Sequence, residues 1–151
     1  MTDYSKIKQQ LYQKCLEFVD ERLKTVTKIM DSNKKALFSE TKSSAGDKHE
    51  TGRAMLQLEM EKASQQFNSI NQMKHIIQKV NLEKNSEIVS LGSLIITDKA
   101  NYFLAISYGK IIIDSVDYYA VSTNSPIGKQ LLGKHIGDVI SFNNAEILEI
   151  Y

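Results

Sequence analysis

Residues 39–52 are Ser-Glu-Thr-Lys-Ser-Ser-Ala-Gly-Asp-Lys-His-Glu-Thr-Gly, and this small, polar stretch decides how the chain is organised. It lies between two long segments whose apolar residues recur at helical spacing. Two helices of similar length joined by a short polar link can bury their apolar faces against each other as an antiparallel hairpin. The stretch is therefore predicted to be the tip of a helical hairpin, with Asp47 and Glu50 displayed at its far end.

The two segments that flank the tip share one apolar pattern. In the first, which contains neither glycine nor proline, the apolar positions are Tyr4, Ile7, Leu11, Cys15, Phe18, Leu23, Val26 and Met30. In the second they are Met55, Leu58, Ala63, Phe67, Ile70, Met73, Ile77 and Val80. Steps of mostly three and four residues place each set on one face of a helix. Because both stripes are narrow, a two-stranded coiled coil is predicted over residues 1–80.

The composition changes at residues 81–86, where a second domain is predicted to begin. Short runs rich in β-branched and aromatic residues predict strands over 88–97, 102–107, 110–122, 138–142 and 145–151. One short helix interrupts them, because Ser125 suits an N-cap, Pro126 the first helical position and Gly133 the C-terminal end. The sequence thus predicts an α+β chain, with a helical hairpin over 1–80 and a small antiparallel sheet domain over 81–151.

Charge and cysteine content narrow the class of protein. Residues 1–80 hold 14 Lys and Arg against 10 Asp and Glu, whereas residues 81–151 hold 5 against 8. The hairpin is therefore mildly basic and the second domain mildly acidic. Cys15 is the only cysteine, which excludes an intrachain disulfide and fits a reducing compartment. With no signal-peptide pattern and no apolar run of about 20 residues, a cytoplasmic protein without a membrane partner is expected.

Three motifs of the second half occur together and in order. They are Leu91-Gly92-Ser93, the run Ser122-Thr123-Asn124-Ser125-Pro126-Ile127-Gly128-Lys129-Gln130-Leu131-Leu132-Gly133-Lys134, and Gly137-Asp138. They resemble the C-terminal domain of the Gre family of bacterial transcription elongation factors. Gre factors also carry an N-terminal coiled-coil hairpin with a Gly-Asp-x-x-Glu pattern at its tip, which here is Gly46-Asp47-Lys48-His49-Glu50. The resemblance covers nearly the whole chain and implies a C-terminal domain like that of FK506-binding proteins.

The resemblance implies a partner and a function. Gre factors bind bacterial RNA polymerase beside its secondary channel, where the C-terminal domain docks and the hairpin enters. Their tip acids help hold a second Mg²⁺ ion and a water, so that the polymerase hydrolyses its own backtracked RNA. For this chain, the implied Mg²⁺-holding acids are Asp47 and Glu50. The implied protein is a monomer that stimulates the polymerase, is not an enzyme by itself and binds no cofactor alone.

The same resemblance suggests the residues that contact the partner. Those that support docking on the polymerase are Ser125, Pro126, Ile127, Gly128 and Lys129. Those that can contact the channel or the 3′ end of the nascent RNA are Lys42, Lys48 and Arg53.

Other interpretations of the same residues remain open. Asp47 and Glu50 also match a capping box, in which they serve only the start of the second helix. The residues that follow them are Lys48 and Thr51, where the family commonly has leucine and asparagine. The alternative function is therefore a regulator that occupies the same channel without cleavage. A prolyl isomerase is less favoured, because many such enzymes line their pocket with a tryptophan and this chain has none.

Overall fold

The computed structural model describes residues 2–42 and 46–151, and the side chains of residues 2–39 and 51–151. Helix α1 spans Tyr4–Lys42 and helix α2 spans Gly46–Lys79. The elements that follow are β1 (Leu94–Thr97), β2 (Asn101–Ala105), β3 (Gly109–Ile113), β4 (Val116–Ser122), α3 (Pro126–Leu131), β5 (Val139–Ile140) and β6 (Ala145–Ile150). The predicted α+β fold is confirmed, with two long helices followed by a sheet and one short helix.

Tertiary contacts divide the chain into two compact units. Residues Val19–Lys74 form the helical unit, and Met1–Phe18 together with His75–Tyr151 form the sheet unit. The start of α1 and the end of α2 thus belong to the sheet unit. The predicted domain boundary at residue 81 stays a prediction. In the described part of the chain, no helix is both long enough and apolar enough to cross a membrane.

The helical unit has a buried seam with a period of seven residues. Its buried side chains are Val19, Val26 and Asn33 on α1 and Leu56, Ala63 and Ile70 on α2. A seven-residue repeat keeps one seam of a helix facing a partner helix, as in a coiled coil. In the described part of this unit the elements are α1 and α2, so their seams bury each other. The predicted helical hairpin is therefore confirmed.

The predicted apolar stripe of α2 is wrong at its start. Met55 and Leu58 are 63% and 66% exposed, whereas Leu56 is buried. Leu56 lies seven residues before Ala63 and so continues the buried frame, while Met55 and Leu58 fall outside it. Steps of three and four residues can be counted from either Met55 or Leu56. The spacing alone therefore does not determine which of the two side chains is buried.

The start of α1 packs within the sheet unit through two aromatic contacts. The Tyr4 ring stacks on Tyr151, with 4.4 Å between ring centroids, and the Phe18 ring meets Tyr108 edge-on at 4.8 Å. Cys15 is fully buried on the same part of α1, and burial raises the pKa of its thiol to about 12. A thiol that stays protonated is a poor nucleophile, so Cys15 serves as a core residue.

The sheet has the strand order β3-β4-β2-β1-β6-β5. All neighbours are antiparallel except β2 and β4, which are parallel. The strand predicted over 110–122 is two strands, because Asp114 and Ser115 form a tight turn with φ of 51° and 66°. Two successive residues with positive φ are typical of the hairpin turns whose twist matches that of the strands. Neither glycine nor proline occurs at these two positions, so the turn has no marker in the sequence.

Candidate functional site

The predicted acids of the hairpin tip occupy the beginning of α2. This helix starts at Gly46, so positions 47 and 50 fall within its first turns. Positions three apart on a helix share a face. The side chains of Asp47 and Glu50, and those of Lys42 and Lys48, lie outside the described residues. Their predicted roles in holding Mg²⁺ and contacting RNA therefore stay predictions.

Arg53 is the predicted channel contact whose side chain the structure describes. It is exposed on α2 and lies three positions after residue 50, on the same face. Its guanidinium is accessible to an anionic partner. Among the described residues, no group of three or more His, Cys, Asp or Glu side chains could hold a metal ion, a finding that does not extend to the tip acids.

The start of α3 is built by Ser125 and Pro126, as the sequence predicted. Ser125 Oγ accepts a hydrogen bond from the Gly128 N–H at 3.0 Å and donates one to the Ser122 carbonyl at 2.7 Å. Pro126 lies in the first turn of α3, where its missing N–H leaves no hydrogen bond unmade. Gly133, just beyond the helix, has φ of +83°, a conformation that suits glycine at a helix end. The predicted cap and helix end are confirmed.

Two further residues of the motif hold α3 against the sheet. Ile127 is 8% exposed and joins the core cluster that contains Val89, Ile95, Tyr102, Leu104, Leu131, Ile140, Ala145 and Ile147. A Cβ atom on Gly128 would lie 1.8 Å from the Ser122 carbonyl oxygen, so only glycine lets the helix approach the end of β4 this closely. Ser125, Ile127 and Gly128 thus have structural explanations of their own.

The remaining members of the motif are available to a partner. Pro126 and Lys129 are exposed on α3. The docking role predicted for residues 125–129 stays a prediction, and these two side chains are the ones that could make direct contact. The other three would act by holding α3 in place.

The sequence prediction missed a group of exposed apolar side chains that directly follows α3. It consists of Leu132, Ile136, Val139 and Phe142, and is called the post-α3 apolar group below. The Phe142 N–H donates a hydrogen bond to Gln130 Oε1 at 2.7 Å, which ties the end of this segment back to α3. Four large apolar side chains exposed within eleven residues of sequence are candidates for a binding surface. Ile136, Val139 and Phe142 recur at three-residue steps, a signal that could have suggested the group, whereas the sequence analysis predicts a strand over 138–142.

Comparisons with known proteins add little to this geometry. No family model and no curated protein matches the chain. Among solved structures, that of the transcription factor Gfh1 is similar, with 20% sequence identity over 93% of this chain and 92% of that chain, and a TM-score of 0.35. A similarity at this level of identity and TM-score does not support an inference about function.

Proposed function

We propose that this protein is a Gre-type transcription elongation factor that binds bacterial RNA polymerase at its secondary channel and stimulates hydrolysis of backtracked RNA. One observation carries the proposal. A helical hairpin with a coiled-coil seam has an acid pair at positions 47 and 50, directly after the start of its second helix. Such a hairpin can carry two carboxylates into a narrow channel that a compact domain could not enter.

Asp47 and Glu50 are the residues that would hold Mg²⁺ together with the polymerase. Mg²⁺ is usually bound by one or two carboxylates, with phosphate oxygens and waters completing its shell, so the donor set fits. A Mg²⁺ ion held there would supply activation of a water and stabilisation of charge in the displacement. The task of the hairpin is to hold the two carboxylates at a fixed separation and depth. A rigid carrier loses less entropy on binding than a flexible loop does.

The sheet unit supplies the docking surface in this proposal. Pro126 and Lys129 are its exposed motif residues, and the post-α3 apolar group provides area that water would otherwise cover. Near the tip, Lys42, Lys48 and Arg53 would be attracted to RNA phosphates and to a negatively charged channel. The factor would act as a cytoplasmic monomer, without enzymatic activity or cofactor of its own.

The test is RNA release from backtracked transcription complexes with wild-type protein, Asp47→Asn and Glu50→Gln. Each substitution removes one charge at nearly constant volume, and each is expected to lower the cleavage rate at least tenfold, with binding to polymerase retained. The matched control is Glu59→Gln, an exposed acid farther along α2, which should cleave like wild type. If both tip variants stimulate cleavage as well as the wild-type protein, the assignment of the acids is wrong.

A non-cleaving regulator of the same channel is the second candidate function. It is favoured by Lys48, whose positive charge lies between the two acids in sequence and would compete with a cation for them. Binding of the wild-type protein to polymerase without any shortening of RNA would select this function.

A further inference from the structure

A cavity of about 800 Å³ opens within the sheet unit. It lies where the first residues of α1 approach the segment after α2 and the end of β6, and its lining includes Tyr4, Lys8, Asn85 and Tyr151. Its volume falls in the range of about 300–1,000 Å³ that is usual for small-molecule sites. The proposed function makes no use of it.

Lys8 is the cation in the wall of this cavity. Its side chain is buried, with 3% of the residue exposed, and its ammonium makes no hydrogen bond or ion pair with any described residue. Among the described residues, Nδ2 of Asn33 is a side-chain nitrogen that is both fully enclosed and without a hydrogen-bond partner, and Nζ of Lys8 is not enclosed in this way. Nζ of Lys8 therefore keeps access to solvent, and the cavity provides that access. Burial lowers the pKa of Lys8, as expected for a desolvated amine without a counter-ion.

Of the three acids that line the cavity, two accept hydrogen bonds from other groups and one is exposed. Asp3 Oδ1 accepts hydrogen bonds from the N–H groups of Ser5 at 3.1 Å and Lys6 at 3.4 Å, and so caps α1. Glu149 accepts a hydrogen bond from the Tyr151 hydroxyl. Glu83 is exposed on the segment after α2. Lys8 therefore lacks a counter-ion, while three nearby carboxylates would repel a ligand that carries several negative charges.

These features define the ligand by charge and shape. One ammonium in the cavity wall can pair with one carboxylate, and the surrounding acids disfavour a phosphate dianion. The stacked rings of Tyr4 and Tyr151 add an aromatic surface beside it, with 24° between their planes. We propose that this cavity binds a small molecule with a single carboxylate, which pairs with Nζ of Lys8.

The test compares benzoate with benzamide, its neutral analogue of nearly the same shape, by calorimetric titration of the full chain. Wild-type protein is expected to bind benzoate at least tenfold more tightly than benzamide, the factor of about 10 to 100 typical of a hydrogen bond to a charged group. Lys8→Met keeps the length and apolar stem of the side chain and should abolish this preference. The matched control is Lys6→Met, an exposed lysine on the same turn of α1, which should retain it.

Two-dimensional NMR of the wild-type protein gives a second measurement that does not depend on a variant. Benzoate should shift the backbone amide signals of Lys8 and Tyr151 and leave those of β3 unchanged. The proposal is overturned if benzoate and benzamide bind equally, if the preference survives in Lys8→Met, or if inorganic phosphate binds more tightly than benzoate. None of these outcomes depends on RNA polymerase, so they leave the proposed function untouched.

Discussion

Replacing Asn33 by leucine is expected to stabilise the helical unit. Asn33 occupies the buried seam of α1, is 7% exposed, and its Nδ2 has no hydrogen-bond partner among the described residues. A buried donor without a partner costs about 1–3 kcal/mol. Leucine has a similar branched shape, and its side chain would be buried at this position. Burial of that additional apolar surface also raises the free energy of unfolding. The expected gain in the free energy of unfolding is about 2 kcal/mol, which corresponds to about 4–8 °C in Tm for a chain of this length.

The assay is urea unfolding followed by circular dichroism at 222 nm. Asn33→Leu should raise the midpoint with an unchanged slope, since the surface exposed on unfolding stays nearly the same. The matched control is Asn68→Leu, an exposed asparagine on α2, for which a change within about 0.5 kcal/mol is expected. A lower midpoint for Asn33→Leu than for wild type would show that the amide is satisfied in solution, and the argument from its missing partner would fail. Buried asparagines in coiled coils fix the register at a cost in stability. The gain in the free energy of unfolding for Asn33→Leu therefore measures the stability that asparagine costs at this position.

Three further predictions concern single groups. Gly128→Ala should lower the free energy of unfolding in urea by about 3 kcal/mol or more, because its Cβ would lie 1.8 Å from the Ser122 carbonyl oxygen; a loss below about 1 kcal/mol would show that α3 shifts freely. Ser125→Ala should cost about 1 kcal/mol in the same measurement through loss of the N-cap, and Ser125→Thr much less; equal losses would argue against the cap. Burial holds the pKa of Lys8 below its usual 10.5. Between the pKa of the folded state and pH 10.5, the unfolded chain therefore binds more protons than the folded chain. The stability deficit caused by Lys8 is therefore fully present below its folded pKa and disappears as the pH rises toward 10.5. Lys8→Met should unfold at a higher urea midpoint than wild type at neutral pH, and this difference should shrink toward pH 10.5; a constant difference would contradict the assignment.

Local rules were sufficient to predict α3 from the sequence. Ser125, Pro126 and Gly133 each act on the backbone within a few residues, through a side-chain hydrogen bond, a fixed φ and a tolerated positive φ. Neighbours in sequence therefore specify both ends of this helix, wherever the rest of the chain lies. The existence and type of the two long helices followed in the same way from their apolar spacing.

Features that depend on distant neighbours could not be predicted. The parallel pairing of β2 with β4 joins segments separated by the whole of β3. The burial of Leu56 in place of Met55 depends on which face of α2 meets α1. Lys8 has no counter-ion among the described residues because α1 packs beside residues 82–85 and the end of β6, and this packing cannot be seen in the sequence. At the tip, Asp47 and Glu50 were identified through the motif alone, and their side-chain geometry lies outside the described residues.

The position of β6 in the sheet has a consequence for synthesis on the ribosome. β6 is the last strand in chain order, yet it lies between β1 and β5. Leu94 and Tyr151 each donate a backbone hydrogen bond to the other at 2.9 Å. Both long helices precede every strand, so the helical unit can form during translation, whereas the sheet is complete only when β6 has been made. Until then β1 presents an unpaired edge, the kind of surface through which nascent chains pair with one another and aggregate.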